Sequence, residues 1–234
     1  MPSNESAVSG DDSHGGTESA GTGRPGYFTT RFTRHPSRSA VWGHICRYLE
    51  RWISRDARVL ELGAGWCEFS NAVTAGAVTA MDIDEVVVEA AGPGVTAIVG
   101  DCTDLSRFDR ASFECIVASN LLEHLSRPMA ERLLAGARRV LSPDGRLILI
   151  QPNFRLKPAE YFDDYTHVSI YSDRSLHDLL TASGWRIEHL AARFLPLSMK
   201  SRGSGLTFLV PWYLRSPIKP FAGQMLLVAT PDAQ

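Results

Sequence analysis

Two short polar stretches carry the side chains best suited to proton transfer or metal binding. SNLLEHL contains Glu123 and His124, and YFDDYTHVSIYS contains Asp163, Asp164 and His167. A histidine titrates near neutral pH, and a nearby carboxylate orients its ring, so either histidine could act as a general base. Alternatively, Glu123, His124 and His167 could hold a divalent cation such as Mg²⁺, which lowers the pKa of a substrate hydroxyl. Of Asp163 and Asp164, we expect one to be functional and the other to be a turn residue, with Asp164 as the catalytic candidate.

A glycine turn in VLELGAGWCEF, residues 59 to 69, is the second candidate site. An apolar run leads into Gly63 and Gly65, with Glu61 before the turn and Glu68 where a dinucleotide fingerprint needs its third glycine. These carboxylates would repel a pyrophosphate, which argues against a nicotinamide-dependent oxidoreductase. A ligand with an ammonium and a sulfonium is instead attracted by negative charge. The turn therefore favours S-adenosylmethionine.

Acidic residues also end the next two predicted strands. Asp82 closes AVTAMDI and Asp101 closes AIVGD. The carboxyl ends of parallel strands meet at one edge of a sheet, where ligands bind. We therefore expect Asp82 to accept hydrogen bonds from ribose hydroxyls and Asp101 to accept one from the adenine amino group. Asp84 is the alternative to Asp82, although it is better placed to cap the following helix.

The framework around these residues is predicted from alternating apolar runs and helical patterns that begin at Arg58. This alternation indicates an α/β fold, a doubly wound and mainly parallel sheet with helices on both faces. A helix over about 38 to 53 precedes the first strand, and FSNAVTAG has a helical pattern directly after it. Gly145 and Gly184 are predicted to end helices.

The chain divides into a tail and one domain. Residues 1–26 lack Leu, Ile, Phe, Tyr and Trp, so we expect a disordered tail, followed by a single domain over 27–234. Residues 27–56 are predicted to form an N-terminal lid or helix. An apolar, proline-rich insert over 194–222 separates the last two strands, and either walls a substrate pocket or serves self-association, with a homodimer as one outcome.

Composition restricts the partners. The formal charge of -2 lacks the basic excess typical of nucleic-acid binding, so we expect no nucleic-acid partner. No apolar stretch approaches the roughly 20 residues of a membrane span, so we expect no membrane contact and a cytoplasmic protein. The four cysteines lack CxxC spacing and are predicted to be structural thiols.

The motifs VLELGAG, AMDID, VGDCTDL, FECIVASNLLEHL and RRVLSPDGRLILIQPN resemble those of class I S-adenosylmethionine-dependent methyltransferases, over about residues 57 to 190. The resemblance implies a Rossmann-like, seven-stranded sheet with a reversed last strand. The third glycine that is common in the first motif is Cys67 here, which narrows the loop. The cofactor residues that it implies are Glu61, Gly63, Ala64, Gly65, Asp82, Ile83, Asp101, Cys102 and Ser119.

The same resemblance bears on the acceptor atom. Family members that methylate amide or base nitrogens often have an N/D-P-P-Y/F motif after strand four, and SNLLEHL lacks it, which favours oxygen. SNLLEHL is also similar to the E-x-x-E-H motif of quinone-pathway and small-RNA 2′-O-methyltransferases, whose members hold a metal. Asn120 replaces the first glutamate of that motif here.

The second half of the chain, including PNFR and YFDDYTHVSIYSDRSLHDLL, is similar to actinobacterial mannoside O-methyltransferases of methylmannose polysaccharide synthesis. This resemblance implies a small saccharide acceptor. Its expected sugar-binding residues are Tyr161, Phe162, Tyr165, Tyr171 and Trp212 by stacking, and Asp163, Asp164, Asn153 and Arg155 by hydrogen bonding. Two alternatives remain open: a quinone-like or phenolic acceptor, and an S-adenosylmethionine-binding protein without catalysis.

Overall fold

The structure is a computed structural model that describes residues 36–196 and 204–232. The predicted tail over 1–26 and the lead-in over 27–35 lie outside the described residues. Among the helices that are described, none is long and apolar enough to cross a membrane.

Seven strands form one sheet. In chain order they are β1 (Arg58–Leu62), β2 (Ala77–Asp82), β3 (Val95–Val99), β4 (Phe113–Ser119), β5 (Leu141–Pro152), β6 (Trp185–Pro196) and β7 (Ala222–Pro231). Their order across the sheet is β3-β2-β1-β4-β5-β7-β6. Neighbours from β3 to β5 pair in parallel, whereas β7 is antiparallel to both β5 and β6. The predicted seven-stranded sheet with a reversed last strand is confirmed.

Helices cover both faces of this sheet. They are α1 (Pro36–Leu49), α2 (Val86–Ala90), α3 (Arg127–Val140), α4 (Pro158–Tyr161), α5 (Asp173–Ala182) and α6 (Val210–Arg215). The α3 and α5 leucines fill the core on one face, and α1 and α6 contribute to the core on the other. The amphipathic patterns of these helices are therefore satisfied by burial against the sheet.

Two local predictions fail. The segment after β1 is a series of turns rather than a helix, because the Asn71 side chain donates to the Ala90 carbonyl and accepts from the Gly92 amide, which fixes an irregular path. Gly145 lies inside β5 instead of ending a helix. Gly184 does follow a helix and has a φ of 77°, as predicted.

The segment between β6 and β7 is shorter than the predicted insert. The strand β6 continues to Pro196 and β7 begins at Ala222, so the insert covers 197–221, with a 3₁₀ helix (Ser204–Leu209) followed by α6. Pro196 pairs with Ala222, and Pro152 at the end of β5 pairs with Gln224. The insert therefore leaves the sheet at the edge where β1 to β5 end.

Candidate functional site

The glycine loop, residues 63–67, follows β1 and adopts left-handed backbone at three alternate positions. The φ values are 69° at Gly63, 48° at Gly65 and 53° at Cys67. Left-handed backbone is favourable for glycine and strained for most side chains, so Cys67 keeps the conformation of the glycine it replaces. A Cβ on Gly63 would lie 2.9 Å from a methyl carbon of Leu121, which places the segment after β4 directly against the loop.

Asp82, at the end of β2, supports the glycine loop. One carboxylate oxygen accepts from the Gly65 amide at 2.8 Å, and the other accepts from the Asp84 amide at 2.9 Å. Burial raises the pKa of Asp82 and these two bonds oppose the rise. Asp84 accepts from the Val86 amide at 3.0 Å, although the N-cap position of that helix is occupied by the next residue, Glu85.

Glu61 is buried behind the loop. Its carboxylate accepts from the backbone amide and the hydroxyl of Ser70. Burial raises its pKa to about 8, with further increases from the nearby charges of Glu68 and Asp82, although the bonds from Ser70 lower it. The side chain therefore fixes the turns that follow the glycine loop, a role that the sequence did not predict.

We expect Glu61→Gln to change how stability depends on pH. The folded-state pKa of about 8 lies above the ordinary value near 4.5, so the folded state holds a proton that the unfolded chain releases. The stability that this proton contributes to the folded state is fully present below the pKa of the unfolded chain and is lost as pH rises through the folded-state pKa. The free energy of unfolding falls by up to about 1.4 kcal/mol per pH unit in this range. The free energy of unfolding of Glu61→Gln should therefore increase relative to that of the wild type as pH rises. Urea titration at several pH values measures this difference.

Glu114→Gln provides the control for this prediction. Its carboxylate accepts from Arg58, and these bonds lower its pKa, so the pH trend should have the opposite sign. Parallel pH profiles for Glu61→Gln and wild type would show that Glu61 is ionised in the folded protein.

Glu68, where a dinucleotide fingerprint has glycine, forms a buried ion pair with helix α1. Its Oε1 lies 2.9 Å from Nε of Arg38, and both side chains are 8% exposed. The N-terminal helix is thus fastened to the segment that continues the glycine loop. Sequence analysis considered Glu68 only as a replacement for glycine and did not predict this contact.

The third strand brings more of the predicted residues to the same edge. Asp101 accepts from the Thr103 amide at 2.8 Å. Burial, together with the charges of Asp101 and Asp82, raises the pKa of the Cys102 thiol to about 12, so these three residues lie close together. Ile83 is 40% exposed, which leaves an apolar surface beside the carboxylates. An apolar face next to acids suits adenosine, whose ring is apolar and whose amino and hydroxyl groups donate.

An acid–histidine cluster follows β4 and consists of Glu123, His124, Asp164 and His167. Glu123 and His124 lie in a 3₁₀ turn (Leu122–His124), and the Glu123 carbonyl accepts from the backbone amide of Val168 beside His167. The two histidine rings are 4.9 Å apart between centroids. The structure therefore brings together all four residues proposed for catalysis from sequence, although their roles remain predictions.

Hydrogen bonds indicate which nitrogen of each histidine carries the proton. The Thr166 hydroxyl donates to Asp164, so it accepts from Nδ1 of His124 at 2.9 Å. Nδ1 of His167 donates to the Tyr161 carbonyl. In both rings Nε2 then has the lone pair, as in histidines that bind a metal or accept a proton. Sequence analysis did not identify Thr166 or the Tyr161 carbonyl as partners of the histidines, because neither belongs to a recognisable sequence motif.

Glu123 contributes a buried carboxyl group to this cluster. Both carboxylate oxygens are buried and accept no hydrogen bond from a described residue, and Oε1 lies 4.0 Å from Nε2 of His167. Burial raises the pKa of Glu123 to about 8. One ligand atom from each of Glu123, His124 and His167 lies within 4.8 Å of the others. A buried carboxylate beside two imidazoles fits a divalent cation, which would compensate the buried charge.

Asn120 does not belong to this cluster. Its backbone is left-handed, with a φ of 51°, and asparagine tolerates this conformation better than glutamate does. Its amide accepts from Gln224 at 2.6 Å and donates to Ser119 at 3.2 Å, which joins the ends of β4 and β7. The departure from the E-x-x-E-H motif therefore has a structural reason.

Several residues proposed to bind sugar are unavailable. Tyr161 and Tyr171 are buried, so neither ring can stack on a ligand. Asn153 is buried and donates to Asp173 and the Ala192 carbonyl, and Arg155 pairs with the same aspartate. Phe162 and Tyr165, at 53% and 68% exposure, remain accessible beside the cluster, and Trp212 lies on α6.

Comparison with known proteins identifies the fold. Residues 60–149, less than half of the chain, match a family model described as a methyltransferase domain. A methyltransferase from Archaeoglobus fulgidus, described as SAM-dependent, aligns with a TM-score of 0.61 at 16% identity, over 82% of this chain and 94% of that one. The PH0226 protein of Pyrococcus horikoshii aligns with a TM-score of 0.62 at 17% identity, over 88% and 96%.

The fold is the Rossmann-like methyltransferase fold. An S-adenosylmethionine-dependent methyltransferase from Mesorhizobium loti gives a similar result, with a TM-score of 0.58 at 19% identity over 82% of this chain and 97% of that one. No curated protein matches the sequence. Together, the family match and the methyltransferase fold support S-adenosylmethionine-dependent methyl transfer and imply this donor as the cofactor.

The residues at the edge of this methyltransferase fold suit that donor. Asp82 is bonded to the glycine loop and lies near Asp101 and Cys102, and the exposed Ile83 follows it in the chain. Ser119 ends β4, next to the segment that carries the acid–histidine cluster. Direct contacts of Glu61, Ala64 and the other predicted cofactor residues with the donor remain predictions.

Proposed function

We propose that the protein transfers a methyl group from S-adenosylmethionine to a hydroxyl of a saccharide, and that Glu123, His124 and His167 hold a divalent cation at the acceptor. The observation that carries this proposal is the buried Glu123 carboxylate between two histidines whose Nδ1 protons are already donated elsewhere. The close approach of Leu121 to Gly63 supports a position of this group near the proposed donor site.

In the reaction, the acceptor oxygen attacks the sulfonium methyl carbon in line. A C–O bond forms as the C–S bond breaks, S-adenosylhomocysteine leaves, and the hydroxyl proton is released. When bound, a divalent cation lowers the pKa of the hydroxyl so that this proton leaves more easily. Nε2 of His167 lies 4.0 Å from a carboxylate oxygen of Glu123, and Asp164 orients His124 through Thr166.

The donor set bears on which cation the cluster takes. Two imidazoles and one carboxylate suit Mn²⁺, Fe²⁺ or Zn²⁺, whereas Mg²⁺ prefers oxygen ligands and water. We therefore propose a transition-metal ion in place of the Mg²⁺ expected from sequence. Without a cation, the same histidines would serve as a general base through Nε2.

The saccharide is supported by the accessible rings of Phe162 and Tyr165, which lie on the segment that also carries Asp164 and His167. Aromatic rings that are half or more exposed beside a hydrophilic cluster are suited to stacking on the apolar face of a sugar. The resemblance to mannoside methyltransferases supports the same acceptor class, with a mannoside as the first candidate.

Labelled methyl transfer to a panel of mannosides, glucosides and phenols tests this proposal. We expect turnover on a saccharide, a loss of about 100-fold after chelation, and recovery with Mn²⁺ or Zn²⁺ but not with Mg²⁺. Turnover that survives chelation would assign the proton transfer to a histidine base. Turnover on phenols alone would contradict the saccharide, and donor binding without any transfer would point to a protein without catalysis.

A further inference from the structure

A basic groove lies between helices α1 and α6, away from the acid–histidine cluster in sequence. Its basic side chains are His44 and Arg47 of α1, Arg51 in the turn after α1, and Arg215 of α6. Tyr48 and Leu214 also line it. The Arg51 guanidinium lies 3.9 Å from the centre of the Tyr48 ring. Within the described part of the chain, no ion pair involves any of the three arginines, and no acidic side chain lines the groove.

The surrounding chain reinforces this charge. From His189 to Pro231 the sequence contains no aspartate or glutamate, whereas it contains Arg193, Lys200, Arg202, Arg215 and Lys219. A basic segment without acids attracts an anionic surface at distances up to the screening length of the solution. The overall charge of -2 conceals this local excess.

Large apolar side chains are exposed on the insert, whose helix α6 contributes Pro211, Leu214 and Arg215 to the groove. On the insert, the exposed fractions are 63% for Phe208, 44% for Leu209, 77% for Trp212, 76% for Ile218 and 79% for Phe221. Such a concentration on one segment exceeds the scattered apolar residues of an ordinary surface.

Hydrogen bonds hold this segment in place. Trp212 is one turn from Arg215 on α6, so the two side chains are neighbours on the helix surface. The Lys219 ammonium donates to the carbonyls of Tyr213 and Leu214, and the Tyr213 hydroxyl donates to the Pro220 carbonyl. The chain after α6 is therefore folded back against the helix, which keeps its exposed side chains near the basic groove.

We propose that the described part of the insert, residues 204–221, and the basic groove form a docking surface for an anionic phospholipid bilayer. The arginines bind lipid phosphates, and Trp212, Phe208 and the neighbouring apolar side chains enter the headgroup region. Exposed leucine and isoleucine favour a bilayer over a nucleic acid, because aliphatic side chains cannot stack on bases. This inference departs from the expectation of no membrane contact, which considered only spanning segments, and it is independent of the proposed acceptor.

Co-sedimentation of the full-length protein with vesicles tests the docking surface. We expect binding to vesicles of equal parts phosphatidylglycerol and phosphatidylcholine, little binding to phosphatidylcholine alone, and weaker binding at high salt. Arg47→Ala with Arg215→Ala should lower the partition coefficient about 25-fold, at about fivefold for each arginine. Trp212→Ala should lower it about tenfold.

Matched controls are Arg132→Ala on α3 and Val88→Ala on α2, since both residues are exposed and lie outside the groove. Neither should change the partition coefficient, and the circular dichroism melting temperature of each variant should match the wild type. Equal binding to both vesicle types, no binding, or variants that bind like the wild type would each overturn the inference. Binding to single-stranded RNA that Arg47→Ala with Arg215→Ala abolishes, without vesicle binding, would overturn it in favour of a nucleic acid.

Discussion

Replacing Glu123 by glutamine is expected to lower kcat by about a thousandfold while leaving the affinity for S-adenosylmethionine unchanged. The substitution keeps the volume of the side chain and removes the carboxyl group, which can ionise 4.0 Å from Nε2 of His167 when a cation or a protonated histidine stabilises its charge. A neutral amide cannot compensate a cation or stabilise a protonated histidine. Steady-state kinetics on the acceptor found by methyl transfer, with donor binding by calorimetry, measures both quantities.

The free energy of unfolding of Glu123→Gln distinguishes a catalytic role of Glu123 from a structural one. The Glu123 carboxylate is buried without a hydrogen bond from a described residue, so its loss should not lower the free energy of unfolding. Loss of activity in a fold that is at least as stable cannot result from misfolding. Glu89→Gln, at an exposed position on α2, is the control and should keep full activity. Full activity in Glu123→Gln would show that the cluster has no part in transfer.

Removal of the Arg38 guanidinium is expected to destabilise the fold by about 3–5 kcal/mol. Arg38 faces Glu68 at 2.9 Å with both side chains 8% exposed, so Arg38→Ala leaves the Glu68 carboxylate without its guanidinium in a poorly solvated position. The lost stem also opens space beside α1. Urea unfolding at neutral pH measures the change.

The double substitution Arg38→Met with Glu68→Leu isolates the charge effect. Replacing a buried pair by apolar residues of similar volume is often neutral, so the double variant should recover most of the lost stability. Arg127→Ala is the surface control, because its pair with Glu131 has side chains 78% and 49% exposed and should contribute less than about 1 kcal/mol. A loss no larger for Arg38→Ala than for Arg127→Ala would contradict the importance of the buried pair.

Features set by local backbone requirements could be predicted from sequence. Gly63 and Gly65 do adopt left-handed backbone, and Asp82 and Asp101 do reach one edge of the sheet, because parallel strands must end there. Glu123, His124 and His167 also converge, since the segments after β4 and β5 leave neighbouring strands.

Features set by distant contacts could not be predicted. Periodicity indicated a helix after β1, but Asn71 uses its side chain to bind the backbone near the end of α2 and fixes turns instead. The Arg38–Glu68 pair joins residues 30 positions apart in a region where either side chain has a plausible solvent-exposed role. The basic groove is formed by α1 and α6, which are far apart in the chain. A local sequence pattern therefore cannot indicate that they form one groove.

The position of β7 in the sheet restricts the order in which the protein can be assembled during synthesis. The described pairs of β6 are all with β7, and β7 is the last strand of the sheet in chain order. Once synthesised, β6 therefore has no edge to join until Ala222–Pro231 leave the ribosome. Strands β1 to β5 carry the glycine loop, Asp82, Asp101 and Glu123 at their ends, and they can pair before that point. During that interval the free edge of β5 is exposed, and it is the part of the nascent chain where a chaperone is most needed.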